Sequence, residues 1–282
     1  MNLEPTSDQQ EILSGLARLL ERFPAPSGLR LTHLDGAPLD EALAEAGFHG
    51  LGEIGALDSA LALHDIARQP FPVEFGATIF APLVLQRDLP RPIAWINGEQ
   101  PARFLPQARS AILVNGAEIN LVEITPGDAR KLDSLYAYPM GVLTERRRGT
   151  ELSDEQARQL RKFHKLWVAI EMCGAMRACL DATVAHVTLR RQFGRPLGSF
   201  QALQHRLAAD AVWIDAAWLL CQRAAWSGQT TDIEMGLRQA LAAAHSMTHD
   251  AHQFHGAIGL TLEHPLHHFS YRIGVLRSEL AY

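Results

Sequence analysis

No proline interrupts the chain between Ser153 and Pro196, and this stretch constrains the fold more than any other feature. Ser153-Asp154-Glu155-Gln156 is a capping box, with Ser153 accepting from the first turn and Gln156 reaching back. A helix of about thirty-five residues, roughly 50 Å long, can follow and is expected to end at Phe193-Gly194. So long a helix needs partners to cover its apolar positions. Helical spacing supplies them from about Phe200 to Trp226, from about Asp232 to Gln253, and in a shorter segment starting near Pro265. Long helices with brief connections form an antiparallel four-helix bundle.

Upstream the texture differs. Ser7-Asp8-Gln9-Gln10 reads as a capping box with Ser7 as the cap, before an amphipathic helix carrying Ile12, Leu13, Leu16, Leu19 and Leu20. Further helical patterns cover about Leu39–Ala46, Ala56–Arg68 and Phe75–Gln86, with Gly and Pro as breaks. Between Pro92 and Thr144 short apolar runs, Ile93–Ile96, Ala111–Val114 and Ile119–Val122, alternate with Asn-Gly and Pro-Gly turns. Too few and too short for a full barrel, these strands suit a small sheet. The fold is therefore expected to be mainly α, with an N-terminal helical domain over 1–90, a β segment over 91–150 and a C-terminal helical bundle over 151–282.

The chain's 282 residues, 47% hydrophobic, supply ample core. A net charge of −5 argues against nucleic acid as a partner, because phosphate binding calls for a clustered basic surface. Cys173, Cys179 and Cys221 fall in apolar helical patterns without a CxxC pair, which suits reduced thiols of a cytoplasmic protein. The first residues lack a basic region followed by an apolar run, and no segment has the unbroken apolar length of a membrane span, so neither targeting nor a membrane partner is expected.

Three segments carry a resemblance. They are Leu189-Arg190-Arg191-Gln192-Phe193-Gly194-Arg195-Pro196-Leu197, Phe200-Gln201-Ala202-Leu203-Gln204-His205-Arg206-Leu207-Ala208, and Gln253-Phe254-His255-Gly256-Ala257-Ile258-Gly259. In this order and spacing they resemble the C-terminal bundle of acyl-CoA dehydrogenases, and the N-terminal helices are consistent with that family. The resemblance implies that Arg190, with Gln192 and Phe193 in its Arg-x-Gln-Phe-Gly element, reaches across a dimer interface to the FAD diphosphate of a neighbouring subunit. It also places Gln253, Gly256 and Ala257 along the adenosine and diphosphate half of that cofactor. A guanidinium at a helix C-terminal end suits both the macrodipole and a charge-assisted bond to phosphate. Ala257 stands where the family usually has a second glycine, which impairs backbone approach there.

Desaturating an acyl thioester requires a carboxylate to take the α-proton while the β-hydride passes to flavin. The family offers two positions for that base, which fall here at Glu279 and at or near His164. Glu279 is followed only by Leu280, Ala281 and Tyr282, where fraying is expected, so it reads as an unpaired surface carboxylate. His164 titrates at about 6.5 in the ordinary case and reads as a surface or packing histidine. No catalytic base is assigned. The β segment also lacks the family's Gly-Ser-Asp and Trp-Ile-Thr strands, with Trp95-Ile96-Asn97-Gly98 at best a remnant.

What the resemblance then implies is a truncated subunit of a heteromeric flavin-dependent acyl-CoA dehydrogenase. It would share FAD with a full-length sister in an α2β2 heterotetramer, act on acyl-CoA, including bulky or steroid side-chain thioesters, and pass electrons to an acceptor protein. Two other readings remain open: a non-catalytic homodimeric scaffold or CoA-ester binder, and a self-sufficient homomeric dehydrogenase using Glu279 or His164. Seven histidines crowd the segment from His245 to His268. His245 and His249 form an i,i+4 pair, but no Glu or Asp completes a zinc pattern, so no metal is expected.

Overall fold

The computed structural model describes residues 4–24, 33–134, 137–145 and 147–280. Among the described residues, six α-helices open the chain: α1 (Ser7–Leu20), α2 (Ala37–Glu45), α3 (Leu51–Ile54), α4 (Ala56–Ala67), α5 (Gly76–Phe80) and α6 (Pro82–Leu85). The α1 cap is Thr6 rather than Ser7, with Gln9 completing the box. Both registers satisfy the same pattern, and Gln10, freed from that role, donates its side-chain amide to Pro5 O at 3.0 Å. The single helix expected over Phe75–Gln86 is divided into α5 and α6, with Pro82 opening the second.

Seven short strands follow among the described residues: β1 (Ile93–Asn97), β2 (Ala102–Arg103), β3 (Ser110–Asn115), β4 (Glu118–Glu123), β5 (Ala129–Leu132), β6 (Met140–Leu143) and β7 (Thr150–Glu151). They make a four-stranded sheet in the order β1-β3-β4-β7 and a three-stranded sheet in the order β2-β6-β5. β1 lies parallel to β3, whereas β3 and β4 form a hairpin from Ser110↔Glu123 to Asn115↔Glu118. The Asn115-Gly116 turn is possible because Gly116 takes a positive φ of 58°.

The bundle comprises α7 (Asp154–Leu189), α8 (Gln201–Ser227), α9 (Thr230–His255) and α10 (Leu266–Glu279), with a hairpin of β8 (Arg191–Gln192) and β9 (Arg195–Pro196) between the first two helices. The Ser153 box forms as expected. α7 ends at Leu189, four residues before the expected Phe193, because Arg190 turns extended and starts the hairpin. α7 packs against α4, α8, α9 and α10. Covered on all sides, it is buried without a break from Leu166 to Met176. At Gly174 the approach of α4 is so close that a Cβ would stand 2.4 Å from His64 O. Cys173, Cys179 and Cys221 are buried free thiols, as expected. Among the described residues no helix is long and apolar enough to cross a membrane.

Candidate functional site

The two alternative base positions converge. Glu279 lies in the last turn of α10, and His164 lies on α7, yet His164 Nε2 stands 2.8 Å from Glu279 Oε1. Arg103 of β2 completes the cluster, donating from Nε to Glu279 Oε2 at 2.6 Å, from Nη2 to Glu279 Oε1 at 3.2 Å, and from Nη1 to Glu171 Oε2 at 2.7 Å. The expectation of an unpaired surface carboxylate at Glu279 is therefore overturned: its side chain is only 13% exposed and doubly bonded by a buried guanidinium. His164 is likewise buried, not on the surface. Its ring stacks on Trp95 at a centroid distance of 3.9 Å, with planes 5° apart.

Backbone placement makes this possible. Pairing of β2 with β6 sets Arg103 opposite Met140, and the guanidinium also lies 4.8 Å from the Tyr138 ring centroid. Gly76 of α5 leaves the room on the other side, since a Cβ there would meet Trp167 Cδ1 at 2.7 Å and Glu171 Oε1 at 2.9 Å. The remaining cavity among Glu74, Trp95, Arg103, Trp167, Glu171 and Glu279 holds about 20 Å³, space for roughly one water.

Electrostatics then decide what the cluster can do. Burial pushes the Glu279 carboxyl up, but Arg103 and the His164 hydrogen bond outweigh it and hold it at about 2. Burial raises Glu171 despite Arg103, and burial lowers His164 despite Glu279. A carboxylate so far below neutral pH is a weak acceptor for a carbon-bound proton, because general bases work best with a pKa near the operating pH. The cluster is a filled ionic core.

The motif residues are disposed differently. Arg190 caps α7 and is exposed, as are Gln192, Phe193, Gln253, Gly256 and Ala257. Phe193 and Gly194 form the hairpin tip, both with positive φ, 53° and 79°. A positive φ is uncommon for a phenylalanine, and this ring is 86% exposed. Arg190 lines an open cleft of about 440 Å³ with Ala182, Ala185, His186, Leu189, His264 and Pro265. Gln253 does not line it, but His186 stacks on His255 at 4.2 Å, which sets the end of α7 beside the end of α9. Gly256 follows with φ 64° and ψ −144°, a conformation open to glycine alone, and no described residue comes within 4 Å of where its Cβ would be.

Sequence reasoning missed Arg103 and Glu171. Glu171 had a signal, being the one charged residue in the run Leu166–Met176; Arg103 had none, sitting in a two-residue strand. The histidines also differ from expectation: His245 and His249 are exposed, and His249 turns to Asp250 and Arg206. His186, His255 and His264 gather instead.

A long-helix bundle, a short helical N-terminal part and a small sheet between them define the acyl-CoA dehydrogenase fold. Residues 155–278 match the family description "Acyl-CoA dehydrogenase, C-terminal domain". Over these residues the chain is similar to the C-terminal domain of acyl-CoA dehydrogenases, and the chain as a whole has their fold. It is similar to acyl-CoA dehydrogenase IpdE2 of Mycobacterium tuberculosis, 28% identical, with 94% of this chain and 90% of the relative covered. Its fold is similar to that in the ChsE4-ChsE5 complex from Mycobacterium tuberculosis, with TM-score 0.77, 17% identity, and 99% of this chain and 95% of that one covered. It is also similar to the Tcur3481-Tcur3483 steroid ACAD, with TM-score 0.76, 19% identity, and coverage of 97% and 93%.

Proposed function

We propose that this chain is the flavin-completing, non-catalytic subunit of a heteromeric acyl-CoA dehydrogenase, paired in an α2β2 assembly with a full-length sister that supplies the base. The observation that carries the reading is the Arg103 guanidinium lying on both Glu171 and Glu279. It leaves a cavity of only about 20 Å³ beside Glu279 and holds that carboxylate ionised and paired, a poor acceptor for a carbon-bound proton. Arg190, Gln192, Phe193, Gln253 and Gly256 have the opposite character, since they are exposed.

The residues at the ends of α7 and α9 fit the diphosphate half of FAD, whereas the cluster at Glu279 does not fit the ring. The cleft at Arg190 and the open backbone at Gly256 suit a diphosphate, with Arg190 giving a charge-assisted bond. The ring and acyl chain have no room in a cavity of about 20 Å³. When bound, FAD supplies the hydride acceptor. This chain's part is to hold the diphosphate carried by the sister, to orient it through the hairpin tip, and to exclude water from that edge. The likeness to the ChsE4-ChsE5 complex and to the Tcur3481-Tcur3483 steroid ACAD supports a partner subunit and acyl-CoA substrates of the bulky, steroid side-chain class; an electron-transfer protein as acceptor and a cytoplasmic setting belong to the same proposal.

The test is co-expression with a full-length acyl-CoA dehydrogenase subunit, followed by measurement of subunit ratio and flavin content. A stable mixed tetramer with fewer flavins than chains is expected. One flavin per chain, or a yellow, active preparation of this chain alone, would overturn the proposal.

A further inference from the structure

Three histidines that no motif joins meet at one end of the bundle. His186 comes from the last turn of α7, His255 ends α9, and His264 precedes α10. Ring centroids are 4.2 Å apart for His186 and His255, 4.4 Å for His255 and His264, and 5.6 Å for His186 and His264. One ring nitrogen from each lies within 4.8 Å of the others. We propose that His186, His255 and His264 bind a divalent transition-metal ion, with zinc the best match to three imidazoles.

The central ligand is His255. Its Nδ1 donates to Ala251 O at 2.7 Å, which fixes the tautomer and leaves a lone pair on Nε2. That Nε2 is buried and has no hydrogen-bond partner among the described residues. A buried acceptor without a donor is unfavourable in a finished protein. A ligating histidine held through its other ring N–H by a backbone carbonyl is, by contrast, a common arrangement in metal sites. His186 and His264 face the same point from the half-buried rim. Burial lowers the pKa of all three, that of His255 to about 4, so near neutral pH their lone pairs do not compete with protons.

Geometry sets what must move. Three nitrogens on tetrahedral zinc at about 2.0–2.1 Å lie about 3.3 Å apart, so the rings need to close by at most about 1.5 Å from a spread of 4.8 Å. His264 gives up a long bond, 3.2 Å, from Leu266 N–H to its Nδ1; the proton then moves to Nδ1 and Nε2 turns to the ion. Arg190, one turn beyond His186, is a nearby positive charge that opposes binding, but it is exposed and screened by solvent. His186 and His264 both line the 440 Å³ cleft, which gives the ion an entry path and leaves its fourth position for water.

The experiment uses the full chain, stripped with chelator and titrated with Zn²⁺ by calorimetry and with Co²⁺ by visible absorption. It needs neither flavin nor a partner, so its outcome is separate from that of the proposed function. One ion per chain, with the intense visible bands of four-coordinate Co²⁺, is expected. His186→Ala and His264→Ala, both at half-buried positions that leave the core intact by circular dichroism, should each weaken Zn²⁺ binding more than tenfold. The double variant His245→Ala/His249→Ala should bind as the parent does. Absence of stoichiometric binding, binding indifferent to His186→Ala and His264→Ala, or loss of binding only in the His245/His249 variant would each overturn the proposal.

Discussion

Arg103 is the residue on which most depends. It is a buried cation facing two buried carboxylates, and removing one member of such a group leaves charge uncompensated, at a cost of about 3–5 kcal/mol. Arg103→Met should lose that much stability by urea unfolding. The pH dependence has a definite sign. Glu279 has its folded pKa at about 2, below its ordinary value of 4.5, so its contribution is complete above about 4.5 and disappears as pH falls towards 2. Taken alone it amounts to about 3 kcal/mol. Glu171 is shifted upward and acts in the opposite direction, making the net loss smaller. Unfolding measured from pH 6 down to 2.5 should therefore show a steeper acid-side decline in the parent than in Glu279→Gln. At the surface, Arg190→Gln removes a charge-assisted bond of about 1.5–3 kcal/mol, so the mixed assembly should hold flavin about 10- to 150-fold more weakly, read by flavin release on dilution. Glu279 was visible in the sequence as a candidate and misread as exposed, because its partner Arg103 is 176 positions away and no local pattern connects them.

Among the elements, α7 was the most legible. Its cap, length and freedom from proline are all local properties, and Ser153-Gln156 forms the box they imply. Ser153→Ala should cost about 1 kcal/mol, seen as a small fall in the urea midpoint. Gly174 carries a different constraint that only packing reveals. A methyl group there would stand 2.4 Å from the carbonyl oxygen of His64, a backbone atom that cannot rotate aside. Gly174→Ala should therefore destabilise by about 1–3 kcal/mol or more even though alanine is the better helix former, and thermal unfolding measures the balance. The start of α1 was displaced by one residue because Thr6 and Ser7 both precede a glutamine by three. Local rules do not choose between two equal caps.

For the molecule as a whole, order and spacing of motifs disclosed the bundle and the resemblance to acyl-CoA dehydrogenases, since Arg190, Gln253 and Gly256 are tied to helix ends. The small β part was readable as strands but not as two sheets, because β2 and β7 are only two residues long. A more general consequence lies in the core. One apolar cluster extends from Leu16 of α1 through Phe80, Ile112 and Trp167 to Leu276 of α10. The N-terminal helices, one face of the four-stranded sheet and the bundle thus share this interior, while the other face of the sheet packs in a smaller cluster with Ala102, Leu105 and Ala108. Heat should melt them together in one calorimetric peak, and mild trypsin should fail to release a stable helical fragment, since cutting away the first ninety residues would strip α7 of the neighbour on which it rests.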